Sequence, residues 1–178
     1  ATVCATANSG TITLSGNVGN VTSWEFSIDN GFTWNNIVNT TTSQTYTNLT
    51  VTTWYRALVL SGVCAADTSN IVVITVDPTT VGGTLTVNAS VCAGNNTGTI
   101  NLAGQVGTID HWEFSTDMGN TWVPLVNNTT SYTYNNLNTT TLYRAYVQSG
   151  VCSAMYSTND TILVSPVTVA GTASSNAT

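Results

Sequence analysis

The chain carries the same sequence unit twice. Cys4, Trp24, Trp34, Tyr55 and Cys64 recur as Cys92, Trp112, Trp122, Tyr143 and Cys152, each pair 88 residues apart, so the copies align without a gap. Most aligned strand positions are identical, which marks a recent duplication and two small domains in series rather than one large core. The two ends are in phase. Residues 1–4 (Ala-Thr-Val-Cys) match residues 89–92 (Ala-Ser-Val-Cys), and residues 166–178 repeat residues 78–90. The expected organisation is therefore a repeat at 1–77 without its lead-in segment, a second repeat at 78–165, and at 166–178 the lead-in of a following repeat or a donated strand. Two arrangements account for this phase: a longer array, or a filament in which each chain lends its tail to the next.

A domain of this size buries only a modest core, so an additional staple is expected, and two cysteines per copy supply it. Charged residues are only 6% of the chain, the sole basic ones are Arg56 and Arg144, and the net charge is -6. That balance argues against nucleic acid or an anionic membrane as partner. Thr, Ser and Asn take the surface role of Lys and Glu, a composition typical of extracellular β-proteins. The longest apolar run, residues 71–76, is too short to span a bilayer, so no direct membrane insertion is expected. No signal peptide is visible, which reads as mature, exported sequence.

Alternating apolar positions predict strands at 11–14, around 24–26, 32–38, 44–47, 53–60 and 63–76, the last broken near Ser69 and Asn70. Asp29-Asn30-Gly31 reads as a hairpin turn, and no helical period survives. Short strands at this spacing predict an all-β chain of two tandem immunoglobulin-like or fibronectin-III-like β-sandwich domains, head to tail. Residues 49–57 and 137–145 resemble the tyrosine corner and sixth strand of such domains. The resemblance implies that Tyr55 and Tyr143 pack in the core with their hydroxyls bonded back to the preceding loop. Trp24 and Trp112 would be the core tryptophans of the third strand.

Over its length each copy is similar to the repeats of giant Bacteroidetes surface adhesins, including SprB-like gliding-motility adhesins exported by the type IX system. The matching strings are Gly-Thr-Ile-x-Leu-x-Gly, Trp-Glu-Phe-Ser-x-Asp-x-Gly-x-Thr-Trp and Tyr-Arg-Ala-x-Val-x-Ser-Gly-Val-Cys. The resemblance implies a structural repeat of a long cell-surface adhesin or filament on the bacterial surface, serving adhesion or gliding. Its partners would be neighbouring repeats of the same chain or filament, and surface polysaccharide is a further candidate.

In this fold Cys4, on the entering strand, and Cys64, which follows the Ser61-Gly62 turn, are expected at one pole of the domain. The expected disulfides are thus Cys4–Cys64 and Cys92–Cys152, each contributing on the order of 4 kcal/mol in the chain-entropy model. Two thiols per domain with no local histidine make no zinc set, and neither a metal nor a cofactor is expected.

Residues 27–34 and 115–122 match the Asp-box pattern Ser-x-Asp-x-Gly-x-Thr-Trp. Asp29, Gly31 and Trp34, with Asp117, Gly119 and Trp122, are expected to build turns: the carboxylate accepts backbone N–H groups, Gly takes positive φ and Trp covers the hairpin. The same motif occurs in sialidase propellers; that resemblance implies a chemistry that needs an arginine cluster, whereas this chain has two arginines in two separate domains. Calcium at either Asp lacks companion carboxylates. Glu25 should meet Arg56, and Glu113 Arg144, as outer-face ion pairs worth roughly 0.2–1 kcal/mol. Trp34 and Trp122 would cover the arginine stems, or alternatively form a glycan-stacking platform. No catalytic residue emerges and an enzyme is not expected: the lone histidine, His111, has Ser23 at its equivalent position, and no Gly-x-Ser-x-Gly elbow occurs. Asp160-Thr161-Ile162 fits a Bacteroidetes O-glycosylation pattern, making Thr161 a candidate acceptor.

Overall fold

The computed structural model describes residues 1–87 and 89–175. It divides into two compact units, Ala1–Thr80 with Gln148–Ser153, and Val81–Val147 with Ala154–Thr178. The turn at 148–153 thus belongs with the first unit although it lies in the second sequence repeat.

Unit 1 contains β1 (Thr2–Cys4), β2 (Ser9–Thr13), β3 (Asn20–Ser27), β4 (Asn35–Ile37), β5 (Ser43–Thr47), β6 (Thr53–Leu60), β7 (Asp67–Thr68) and β8 (Val72–Asp77). One sheet has the order β1-β8-β6-β3-β4, with β7 also on β6, and the facing sheet is the pair β2-β5. Unit 2 contains β9 (Thr84–Thr86), β10 (Ser90–Cys92), β11 (Thr97–Ala103), β12 (Thr108–Ser115), β13 (Val123–Leu125), β14 (Ser131–Asn135), β15 (Thr141–Gln148), β16 (Met155–Tyr156) and β17 (Asp160–Ser165). Its larger sheet is β10-β17-β15-β12-β13, and its second sheet has three strands, β14-β11-β9. Both units are immunoglobulin-type β-sandwiches.

Period-two alternation puts the same residue types inside each sandwich. Trp24, Tyr55, Ala57 and Ile74 form the first core with Ile12 and Val21. Trp112, Tyr143, Ala145 and Ile162 form the second with Ile100 and Leu102. Each tryptophan also satisfies its indole N–H inside the fold, Trp24 Nε1 donating to Thr41 O at 2.9 Å and Trp112 Nε1 to Thr129 O at 3.0 Å.

The disulfide joins Cys4 to Cys152, with 4.9 Å between the Cα atoms, and leaves Cys64 and Cys92 free and exposed. This corrects the expected Cys4–Cys64 and Cys92–Cys152 pairs, and the reason is strand direction. β1 runs parallel to β8, which sets Cys4 level with Asp77 at the trailing end of the sheet. β6 runs antiparallel to β8, with Tyr55 opposite Val72, so Cys64 lies beyond the other end. Asp77 is five residues past Val72, and Cys64 nine past Tyr55 in the opposite direction. At ~3.3 Å per residue the two thiols are tens of ångströms apart along the strands. The same holds for Cys92, which is level with Ser165.

Of the segment 166–178, residues 166–175 form no strand and are exposed. Residues 176–178, the end of that predicted lead-in, lie outside the described residues.

Candidate functional site

The Asp-box turns are built identically in both copies. Ser27 Oγ donates to Asp29 Oδ1 at 2.7 Å and accepts the Gly31 N–H at 2.8 Å. Asp29 accepts the Thr33 N–H at 2.9 Å and the Thr33 hydroxyl at 2.6 Å, and Trp34 Nε1 donates to Gly31 O at 3.0 Å. Asp117, Ser115, Thr121, Gly119 and Trp122 repeat this set. The hydroxyl and amide of Thr33, then Ser27, hold the Asp29 carboxyl at about 2, and Thr121 and Ser115 do the same for Asp117. All of these bonds close on the hairpin itself, so the motif's polar groups are spent on the turn.

One position differs. Asn30 has φ 59° and its counterpart Met118 has φ 60°. The left-handed region suits Asn but strains an unbranched apolar residue, and the Met118 side chain is 74% exposed, so nothing offsets it. Met118→Asn is expected to stabilise unit 2 by about 0.5–1 kcal/mol, read as a higher urea midpoint.

Glu25 lies directly opposite Arg56 in the β3–β6 register, and Arg56 Nε donates to Glu25 Oε2 at 2.6 Å. Arg144 Nε donates to Glu113 Oε2 at 2.6 Å. The guanidinium of Arg56 stacks 4.0 Å from the Trp34 ring centre, and that of Arg144 lies 3.9 Å from Trp122 and 3.6 Å from Tyr156. One face of each indole is therefore covered by a cation, which reduces the surface left for a stacked sugar.

Unit 2 adds a histidine to this cluster. His111 Nδ1 lies 2.7 Å from Asp110 Oδ2 and Nε2 lies 3.2 Å from Glu113 Oε1. Burial acts to lower the imidazole pKa, but the bonds and charges of Asp110 and Glu113 outweigh it and the net shift is upward. For Glu113 burial is likewise outweighed, by Arg144 and His111, and its carboxyl is held down. The folded state thus binds the His111 proton more tightly than the unfolded chain does. The resulting stability is complete below about pH 6.5, the unfolded value, and is lost as pH rises through the raised folded one. His111→Ser, which restores the residue of the first copy, should lower the Tm of unit 2 by about 2 °C at pH 5.5 and by nothing measurable at pH 8.5. Unit 1, with Ser23 there, is the internal control.

Tyr55 and Tyr143 are buried at the corner position, and desolvation raises both hydroxyl pKa values. Among the described residues neither hydroxyl bonds to the preceding loop. That loop is held instead by a residue the sequence did not single out. Asn8 donates to Cys4 O at 2.7 Å and Leu49 O at 2.8 Å, and accepts the Leu49 N–H at 2.9 Å. Asn96 makes the same three bonds to Cys92 and Leu137. Identity across the 88-residue offset was the available signal, but in an Asn-rich chain it is not distinctive. Thr161 lies in β17, half-buried, its N–H donating to Asp160 Oδ1.

The feature that distinguishes the two units is the lead-in strand. In unit 2, β9 pairs with β11 through Thr86–Asn101, Leu85–Leu102 and Thr84–Ala103. Ahead of it Val81 and Val106 exchange backbone bonds at 3.2 and 3.0 Å, and Leu85 N–H donates to Thr158 Oγ1 at 3.0 Å while Thr158 N–H donates to Gly83 O at 3.1 Å. Among the described residues no strand of unit 1 corresponds to β9. The corresponding surface of unit 1 is an open groove of about 400 Å³ lined by Leu14, Gly16, Val18, Val59, Thr68 and Asn70 among others. These are the counterparts of Leu102, Gly104, Val106, Val147, Tyr156 and Thr158, the residues that line the seat of the lead-in. The apolar difference is visible between counterparts: Val147 is fully buried and Val59 only half-buried, and Val106 is half-buried whereas Val18 is 82% exposed.

At the trailing end of unit 1, Cys4, Asp77 and Thr80 meet the turn at 148–153. Besides the disulfide, Val151 N–H donates to Asp77 Oδ2 at 3.0 Å and Ser149 N–H to Thr80 Oγ1 at 3.0 Å. Gly150 lies so close to the Asp77 carboxylate that any Cβ there would collide with it.

No curated protein matches the chain. Among solved structures it is similar to a marsupial T cell receptor, at 12% identity and TM-score 0.61, covering 94% of this chain and 71% of that one. It is also similar to the four N-terminal Ig domains of Dscam1 isoform 4.44 (9% identity, TM-score 0.48, 93% of this chain) and to fibronectin(III)-like modules of Clostridium thermocellum CbhA (16% identity, TM-score 0.35, 98% of this chain and 94% of that one). The chain spans 43% of the Dscam1 structure. The receptor likeness shows the sandwich fold alone. A family model matches at residues 1–78 and again at 81–166. The chain therefore belongs to the family described as Domain of unknown function (DUF8696), and carries that domain twice.

Proposed function

We propose that the chain is a structural stretch of a head-to-tail repeat array, part of a long adhesin or filament on the outside of a bacterial cell, serving surface adhesion or gliding. The observation that carries this reading is the seating of residues 81–86, the lead-in of the second repeat, on β11 and Thr158 of unit 2, together with a groove in unit 1 lined by the counterpart residues. A sheet edge and apolar groove of that kind are suited to a lead-in strand supplied by the stretch between one copy and the next. The residues of such a strand are the lead-in that precedes each repeat. The disulfide, the near absence of charge and the sandwich fold support an oxidising, extracellular setting. With the polar groups of the Asp-box occupied within the turn, the reading assigns the repeats no catalytic role.

A peptide of residues 78–90 added to the chain tests it directly. Saturable binding that perturbs Leu14, Val18 and Val59 in NMR spectra and raises the Tm of unit 1 is expected. Perturbation scattered over both units, or none, would count against strand lending. Antibody labelling of intact cells checks the surface location.

A further inference from the structure

Among the described residues Cys64 and Cys92 are the free thiols, and each is the counterpart of a bonded one: Cys64 of Cys152, and Cys92 of Cys4. The counterparts share their backbone frames. Cys4 and Cys92 are level with Asp77 and Ser165 at the ends of parallel strand pairs. The carbonyl of each accepts the Asn8 or Asn96 side chain at 2.7 Å. Cys64 and Cys152 close the same turn, their N–H groups donating to Ser61 O at 3.0 Å and Ser149 O at 2.8 Å. The trailing end of the second repeat thus presents a thiol in the setting of Cys4, and the leading turn of the first presents one in the setting of Cys152. The remaining partners also have counterparts: Thr168 for Thr80, Ser165 for Asp77, and Gly62, free of neighbours, for Gly150.

We propose that the disulfide is a relay through successive copies of the repeat, in which the first cysteine of each copy bonds the second cysteine of the copy that follows. Cys92 is the donor to a following copy and Cys64 the acceptor from a preceding one. A second molecule of this chain offers both sites, so Cys92 of one molecule bonds Cys64 of the next. This rests on the head-to-tail reading above and adds a covalent bond to it. The bond forms by thiol–disulfide exchange with a small disulfide oxidant such as glutathione disulfide. The Cys92 thiolate attacks one glutathione sulfur and expels a glutathione thiolate. The Cys64 thiolate then attacks the mixed disulfide at the Cys92 sulfur and expels the second. Two protein thiols are oxidised, one glutathione disulfide is reduced to two glutathiones, and the two thiol protons pass to the expelled thiolates.

The test incubates the chain in a glutathione redox buffer and resolves it on non-reducing gels. A ladder of multimers that collapses on reduction is expected for the native chain. Cys64→Ser or Cys92→Ser alone should stop at a trace of symmetric dimer. An equimolar mixture of the two should give a heterodimer in roughly tenfold excess over either symmetric dimer, because docking raises the effective concentration of the correct pair. With one parent labelled with ¹⁵N, mass spectrometry should find Cys92 and Cys64 peptides of different parents joined. Random pairing among the thiols, a Cys64–Cys92 bond within one molecule, or no bond would overturn the relay. Sedimentation of the Cys64→Ser/Cys92→Ser double variant separates the two proposals. Association that needs residues 166–178, without a Cys92–Cys64 bond in the native chain, sinks the relay and leaves the array. Neither association nor bond sinks both, and the specific bond supports the relay whether or not uncrosslinked chains associate.

Discussion

Cys152→Ser is expected to lower the stability of unit 1 by about 3–4 kcal/mol, while Cys64→Ser changes it by less than about 0.5 kcal/mol. The contrast follows from the bond between residues 4 and 152, which spans 148 residues of sequence. Opening it frees the short β1 strand at Cys4 and the turn at 148–153, so the Asp77 and Thr80 contacts to that turn weaken with it. Chemical denaturation with and without reductant checks the size of the effect. The variant pair checks the connectivity, because a Cys4–Cys64 bond would make Cys64→Ser the damaging substitution. The chain-entropy figure treats the whole loop as free in the unfolded state; if unit 2 stays folded while unit 1 opens, the effective loop is shorter and the loss falls to the lower end.

Trp112→Ala should cost unit 2 about 3–5 kcal/mol. Trp112 has no exposed surface, packs within the cluster of Ile100, Tyr143, Ala145 and Ile162, and stacks with Tyr132 at 6.0 Å between ring centres. Removing the indole leaves a cavity that two stiff sheets cannot close, and it strips Thr129 O of its donor. The loss is comparable to the whole stability of a domain this small, so unit 2 of the variant should be largely unfolded at 37 °C. Trp112→Phe keeps most of the apolar volume and should lose about 1–2 kcal/mol. Tryptophan fluorescence is a poor reporter here because Trp122 and the three tryptophans of unit 1 remain and dominate the signal; amide exchange follows unit 2 directly.

The sandwich was legible because its strands alternate. Trp24 and Phe26, or Tyr55 and Ala57, announce a buried face through residue type alone, and Glu25 and Arg56 announce the outer one. The Asp-box turns were legible for a related reason: their bonds are local, spanning no more than a few residues. The disulfide was not. β1 has three residues, too few for alternation to give its direction, and a parallel pairing with β8 moves Cys4 to the opposite end of the sheet from an antiparallel one. The lead-in seat was half legible. Phase showed that residues 166–178 repeat residues 78–90, but nothing in the first repeat says that Leu14 and Val18 border an open groove. That follows only from seeing Leu102 and Val106 covered in the second. His111 stood out in sequence as a singleton, yet its two carboxylate partners did not: Glu113 comes from the outer-face register of β12, in which residues 111 and 113 share a side, and Asp110 is its chain neighbour.

Because the folding unit and the sequence period are offset, the repeat has no privileged boundary for genetic rearrangement. Unequal recombination between any two matched positions inserts or deletes a whole period, and each internal copy still receives its lead-in and its turn from its neighbours. An array built this way can change length over generations without inventing a new joint. The constraint moves to the terminal copies of such an array, where a groove and a thiol at the leading extremity and a thiol at the trailing one call for dissimilar caps.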